Sequence, residues 1–149
     1  MKKVFYYLIL ASAIIACNTA DKKSEVKVLT EEDKKKAESD SSSYTTIAWL
    51  DSTVIKLGNI KKGEVVEVAF RFKNTGDKQL VITNVIAGCG CTVPEKPEQP
   101  YAPGEEGVIK AKFDSKNQHA GLQSKYVTVD ANTKPNAKHQ LNFTVEITE

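Results

Sequence analysis

The sequence predicts an all-β domain over residues 46–149, a two-sheet antiparallel β-sandwich of about seven short strands. Val66, Val68, Phe70 and Phe72 alternate with Glu67, Ala69, Arg71 and Lys73. The same period of two returns in Ile109, Ala111 and Phe113 against Lys110 and Lys112, and in Leu141, Phe143, Val145 and Ile147 against Asn142, Thr144 and Glu146. Successive side chains of a strand point to opposite faces, so each run is a strand with one face buried and one in water. No segment after Thr46 carries the 3.6-residue period of a helix, which excludes a parallel α/β sheet and its nucleotide crevice.

Less regular apolar runs at residues 47–50, 53–57, 80–86 and 126–131 complete the strand set. Turn residues separate them: Lys62-Gly63, Asn74-Thr75-Gly76-Asp77, Pro103-Gly104, Ala120-Gly121 and residues 132–136. Short strands at this spacing over about 100 residues form a sandwich.

The N-terminus reads as an address. Met1-Lys2-Lys3 is a positive start, and residues 4–15 form an uncharged, mostly apolar run. Such a layout is that of a secretory signal. Twelve residues of helix rise about 18 Å, short of the ~30 Å hydrocarbon core, so the run is not a permanent span. Ile14-Ile15-Ala16-Cys17 resembles a bacterial lipobox, which implies cleavage after Ala16, residues 1–16 as signal peptide, and Cys17 as the lipid-bearing N-terminus. A diacylglycerol thioether plus an amide-linked acyl chain suffices for stable attachment to a membrane. Loss of Lys2 and Lys3 takes the 21 basic residues to 19, against 19 acidic ones, so attachment rests on the lipid and not on charge. The acidic cluster that marks surface export in lipoproteins of the Bacteroides type is not found in Asn18-Thr19-Ala20-Asp21-Lys22-Lys23, which favours a periplasm-facing protein.

Residues 17–45 are expected to be the lipidated cysteine and a polar tether. Residues 18–45 hold six lysines, seven acids and little to bury. Within them Thr30-Glu31-Glu32-Asp33 followed by Lys34-Lys35-Lys36 reads as an N-capped helical turn with Glu31/Lys35 and Glu32/Lys36 pairs. A single short helix is marginal in water, and as coil the tether reaches ~30 Å.

Composition narrows the function. The chain has 149 residues, 40% hydrophobic and 27% charged, enough for one core. Its only arginine is Arg71 and its net charge is +2, which argues against nucleic-acid binding. No Gly-x-Ser-x-Gly nucleophile motif occurs, Glu105-Glu106 follow a Pro-Gly turn, and no cofactor motif is present. Tyr44 and Trp49 are candidate contact residues, although a tryptophan in an apolar run usually belongs to the core.

Cys89-Gly90-Cys91 is the one chemically pointed motif of the domain. If Cys17 carries lipid, an oxidising compartment leaves this pair to form a disulfide. In a straight strand the two Cα atoms stand about 6.6 Å apart, near the limit for a bridge, and Gly88 and Gly90 permit a kink. Two same-side thiolates also suit a soft ion such as Cu(I), with His119 or His139 as a third ligand. Thiol exchange is a third use, without the Cys-x-x-Cys spacing at a helix N-terminus that lowers a thiol pKa. Lone histidines, His119 in a polar loop and His139 before the last strand, otherwise read as solvated side chains.

Leu57-Gly58-Asn59-Ile60, Gly63-Glu64, Phe70-Arg71-Phe72-Lys73-Asn74-Thr75-Gly76, Leu80-Val81-Ile82, Gly88-Cys89-Gly90-Cys91-Thr92-Val93-Pro94, Ala102-Pro103-Gly104-Glu105 and Phe113-Asp114-Ser115 together resemble the bacterial family of unknown function DUF1573. The resemblance covers residues 53–147; Lys56 and Leu57 stand where the family has Asp and Phe, and Gly88 where it often has Ser. It implies an immunoglobulin-like sandwich of the major-sperm-protein and ASH kind, whose members act mainly as binding or scaffold modules. The expected function is therefore a lipid-anchored envelope module that binds another protein or an envelope polymer, with thiol-redox or copper handling through Cys89 and Cys91 as the alternative.

Overall fold

The computed structural model describes residues 28–149; the signal segment and Cys17 lie outside them. In chain order the elements are a helix α1 (Glu31–Ser39) and strands β1 (Ile47–Trp49), β2 (Val54–Lys61), β3 (Val65–Asn74), β4 (Ile82–Ala87), β5 (Thr92–Glu95), β6 (Glu106–Asp114), β7 (Gly121–Ala131) and β8 (Lys138–Thr148). They form two four-stranded sheets, ordered β1-β3-β6-β5 and β2-β8-β7-β4. The all-β sandwich expected from the alternation is the observed fold.

Two details differ from the sequence expectation. The strand that brings about seven to eight is β5, whose Thr-Val-Pro-Glu has no apolar alternation. It is an edge strand paired only with β6, where Pro94 is tolerated. One pair is also parallel: β2 runs alongside β8, with a register shift between Lys56 and Asn59 at Gly58, whose φ is +79°. Consecutive strands β1 and β2 thus join opposite sheets, and the remaining strand pairs are antiparallel.

The core lies between the sheets. Val68, Phe70, Phe72, Ile109, Ala111 and Phe113 come from one inner face, and Val127, Val129, Leu141, Phe143, Val145 and Ile147 from the other. Phe113 meets Phe143 edge-on across the interface, with ring centroids 5.8 Å apart. These are the apolar members of the alternating runs, so burial follows directly from the period of two.

Residues 29–45, assigned to the tether, are an arm laid on the sandwich rather than free coil. Thr30 caps α1 in a reciprocal box with Asp33, as the Thr-x-x-acid pattern implies. The ion pair is not the expected Glu31/Lys35 but Glu31–Lys34 at 2.7 Å. Lys34 is on the side of the helix turned to the sandwich, beside Lys96, and only 7% exposed. Burial of its stem there explains the choice. The arm is tied by its backbone: Leu29 N–H donates to the Glu98 carbonyl at 3.3 Å, Thr45 N–H to that of Asn132 at 3.0 Å, and the Ser43 carbonyl accepts from the Asn132 amide at 2.7 Å.

Candidate functional site

Cys89 and Cys91 are joined in a disulfide, with Cα atoms 5.3 Å apart. The chain leaves β4 at Ala87, turns through Gly88-Cys89-Gly90-Cys91 and enters β5 in the other sheet. Backbone bonds hold the turn to both sheets: Gly88 N–H donates to the Tyr126 carbonyl of β7, and Asp114 N–H of β6 donates to the Cys91 carbonyl. Thr92 N–H donates to the Cys89 carbonyl at 3.2 Å. A bridge closing so short a loop adds about 1–2 kcal/mol in the loop-entropy picture, so its main effect is to fix the shape of the crossover.

The other proposed metal ligands are placed elsewhere. His119 is exposed in the loop between β6 and β7. His139 lies within β8, not before it, and is half-buried rather than solvated. Its Nε2 is 2.8 Å from the Thr133 hydroxyl, and its ring stands edge-on to Trp49 at 5.8 Å. Trp49 in turn is partly buried and packs edge-on against Phe72 of the core, and Tyr44 is half-buried with the Lys134 ammonium 4.7 Å above its ring. Among the described residues, no three His, Cys, Asp or Glu side chains converge to hold a metal ion.

Burial pushes the His139 pKa below its ordinary value, against a smaller opposing effect of its backbone bond to Asn136. Because the unfolded chain takes up that proton more readily than the folded one, stability is complete above about pH 6.5 and falls as pH drops from there to the folded-state pKa. Urea denaturation at about pH 7.5 and about pH 5.5 checks this: the loss on acidification shrinks in His139→Phe.

The two outer faces of the sandwich differ in chemistry. On the β1-β3-β6-β5 sheet the charges pair: Glu67 with Lys110, Glu95 with Lys112, Lys73 with Glu106, and Arg71 with Asp51 through two guanidinium nitrogens. The Arg71 bonds hold the Asp51 carboxyl below the usual carboxylate range. At exposed sites such pairs contribute little stability, but they leave the face with its charges already matched.

The outer face of the β2-β8-β7-β4 sheet is uncharged across its centre. Tyr126 lies opposite Asn142, Thr128 opposite Gln140, and Ser124 opposite Thr144. Val54 continues the Tyr126 row on β2, and Ile86 the Thr128 row on β4. Ionised groups appear at the border: Lys56, Glu146, and the Lys138–Asp130 pair. Tyr126 is 44% exposed. Its ring lies over Gly88: a Cβ built on that glycine would stand within 2.9 Å of the ring carbons Cε1, Cζ and Cε2. Sequence reasoning missed Tyr126, because only the β4–β7 register brings it onto the disulfide turn.

Known proteins give the fold a wider setting. No curated protein matches the chain. A crystal structure of a protein of unknown function from Porphyromonas gingivalis W83 superposes with a TM-score of 0.62 at 14% identity, covering 72% of this chain and 49% of that one. This chain thus matches about half the length of that protein. The ASH/PapD-like domain 7 of human CEP192 gives 0.53 at 12% identity, over 71% of this chain and 86% of the domain. The YadV chaperone gives 0.50 at 12% identity, over 69% and 52%. At these identities the likeness is one of fold, an immunoglobulin-like, PapD-like sandwich. Residues 48–147 match the sequence profile of DUF1573, described as a protein of unknown function, and the chain belongs to that family.

Proposed function

We propose that this chain is a lipid-anchored cell-envelope module that binds or scaffolds a partner and carries out no catalysis. The observation that carries the proposal is the uncharged face of the β2-β8-β7-β4 sheet, set opposite a face whose charges are internally paired. Depletion of charge at the centre of a surface is the compositional mark of a contact region. The likeness in fold to a PapD-like domain and to a chaperone supports a binding role. In this reading Cys89–Cys91 braces the turn beneath the contact face, Cys17 carries the acyl chains, residues 17–45 link them, and the domain faces the periplasm.

The anchor is tested in cells expressing the full chain and fed an alkyne-tagged fatty acid. The wild-type chain takes up the tag and sediments with membranes, whereas Cys17→Ser loses both properties. Tagging that persists in Cys17→Ser, or a wild-type chain that is never tagged, overturns the anchor.

A further inference from the structure

We propose that the outer face of the β2-β8-β7-β4 sheet, centred on Tyr126, binds an uncharged glycan chain, an inference that rests on the binding role above and names its partner. Three observations converge on it.

The first is the posture of Tyr126. Gly88 lies beneath the phenol end of its ring, approached by Cε1, Cζ and Cε2 together, so the ring is flat along the sheet and not edge-on. With one face on the glycine and 44% of the residue exposed, the other face is turned to solvent. An aromatic face is negative at its centre and attracts the weakly positive C–H edges of a saturated ring laid upon it. Gly88 is what permits the posture, since any Cβ there would displace the ring.

The second is the set of groups around it. Gln140 Nε2 donates to Asn142 Oδ1 at 2.9 Å, which orders two amides beside the ring. Among the described residues, the hydroxyls of Ser124, Tyr126, Thr128 and Thr144 have no protein hydrogen-bond partner. Each offers a donor and acceptors, and Asn142 and Gln140 keep further amide capacity. Hydroxyl-rich ligands are recognised by this combination of a few directed polar groups around an apolar platform.

The third is charge. On β7 and β8 the three central rows carry no ionised side chain over about 14 Å at the usual strand rise, and Lys56 on the edge strand β2 ends the Ser124–Thr144 row. Such a strip is complementary to a neutral ligand and offers an anionic polymer only the single lysine at its edge, Lys56, whereas phosphate binders cluster Lys and Arg.

The test uses the detergent-solubilised full-length chain and three neutral probes, cellohexaose, maltohexaose and chitotetraose, followed by NMR. At least one probe shifts the side-chain amide signals of Gln140 and Asn142, with a Kd of about 1 mM. Tyr126→Phe binds comparably, while Tyr126→Ala and Gly88→Ala weaken binding about tenfold or more. Gly88→Ala keeps the ring but tilts it, and unchanged dispersion of the remaining signals shows that each variant is folded. No shift with any probe, or binding that survives Tyr126→Ala, overturns the proposal. A protein cross-linked to this face, without a response to the oligosaccharides, also overturns it while leaving the binding role intact.

Discussion

Asn74→Ala is expected to destabilise the domain by about 4 kcal/mol, although Asn74 stands at the mouth of a surface turn. Its side chain is fully buried and uses its whole hydrogen-bonding capacity. Oδ1 accepts from the Thr45 hydroxyl at 2.8 Å and from Gly76 N–H at 3.2 Å; Nδ2 donates to the carbonyls of Lys78 and Tyr101 at 2.7 and 2.9 Å. Alanine strands these partners in the interior, where each unsatisfied group costs about 1–3 kcal/mol before relaxation. Asp77→Ala, three residues on and exposed, stays within about 0.5 kcal/mol. Chemical denaturation of the two variants separates the cases, because a merely local turn effect makes their midpoints similar.

Phe72→Ala is expected to cost about 3–5 kcal/mol, measured the same way. Phe72 is 0% exposed and sits between two aromatic neighbours, with centroids 5.7 Å from Trp49 and 4.9 Å from Tyr101. Its cross-strand neighbour on β6 is Gly107, which has no side chain to offer to the vacated space. Because Trp49 also touches His139, the same truncation loosens the contact between the two sheets at that end and raises the exposure of His139.

Strands whose apolar residues alternate strictly were legible because each faces core on one side and water on the other; β3, β6 and β8 are such strands. The strand β5 was not, since its burial depends on a position at the sheet edge that no local period encodes. Asn74 and Asn132 illustrate a second limit. Both occur in runs of turn residues, yet Asn132 is 1% exposed and donates to carbonyls of the arm and of Gln79. An asparagine that caps a loop from inside has the same sequence signature as one in water. The α1 cap was legible in Thr30 and Asp33, while docking of the arm depends on backbone partners far along the chain.

For the site, Cys89 and Cys91 were legible as a pair, and their joining fits the disulfide among the three uses the sequence left open. The part played by Gly88 was hidden, because the tyrosine above it is 38 residues away in sequence and adjacent only through the β4–β7 pairing. The contrast between the two outer faces was likewise invisible until the strands had an order. Glu67, Lys110, Lys112 and Glu95 are ordinary charged residues in sequence and become a matched set only on one sheet.

Photo-cross-linking in intact cells tests whether the uncharged centre of the β2-β8-β7-β4 sheet is the contact surface. A benzophenone amino acid replaces Thr128 on that face or Ala69 on the opposite one, in the full-length chain. A contact surface there yields ultraviolet-dependent adducts from position 128, lost when Tyr126→Ala is added, and none from position 69. Adducts from position 69 alone, or equal adducts from both, contradict it.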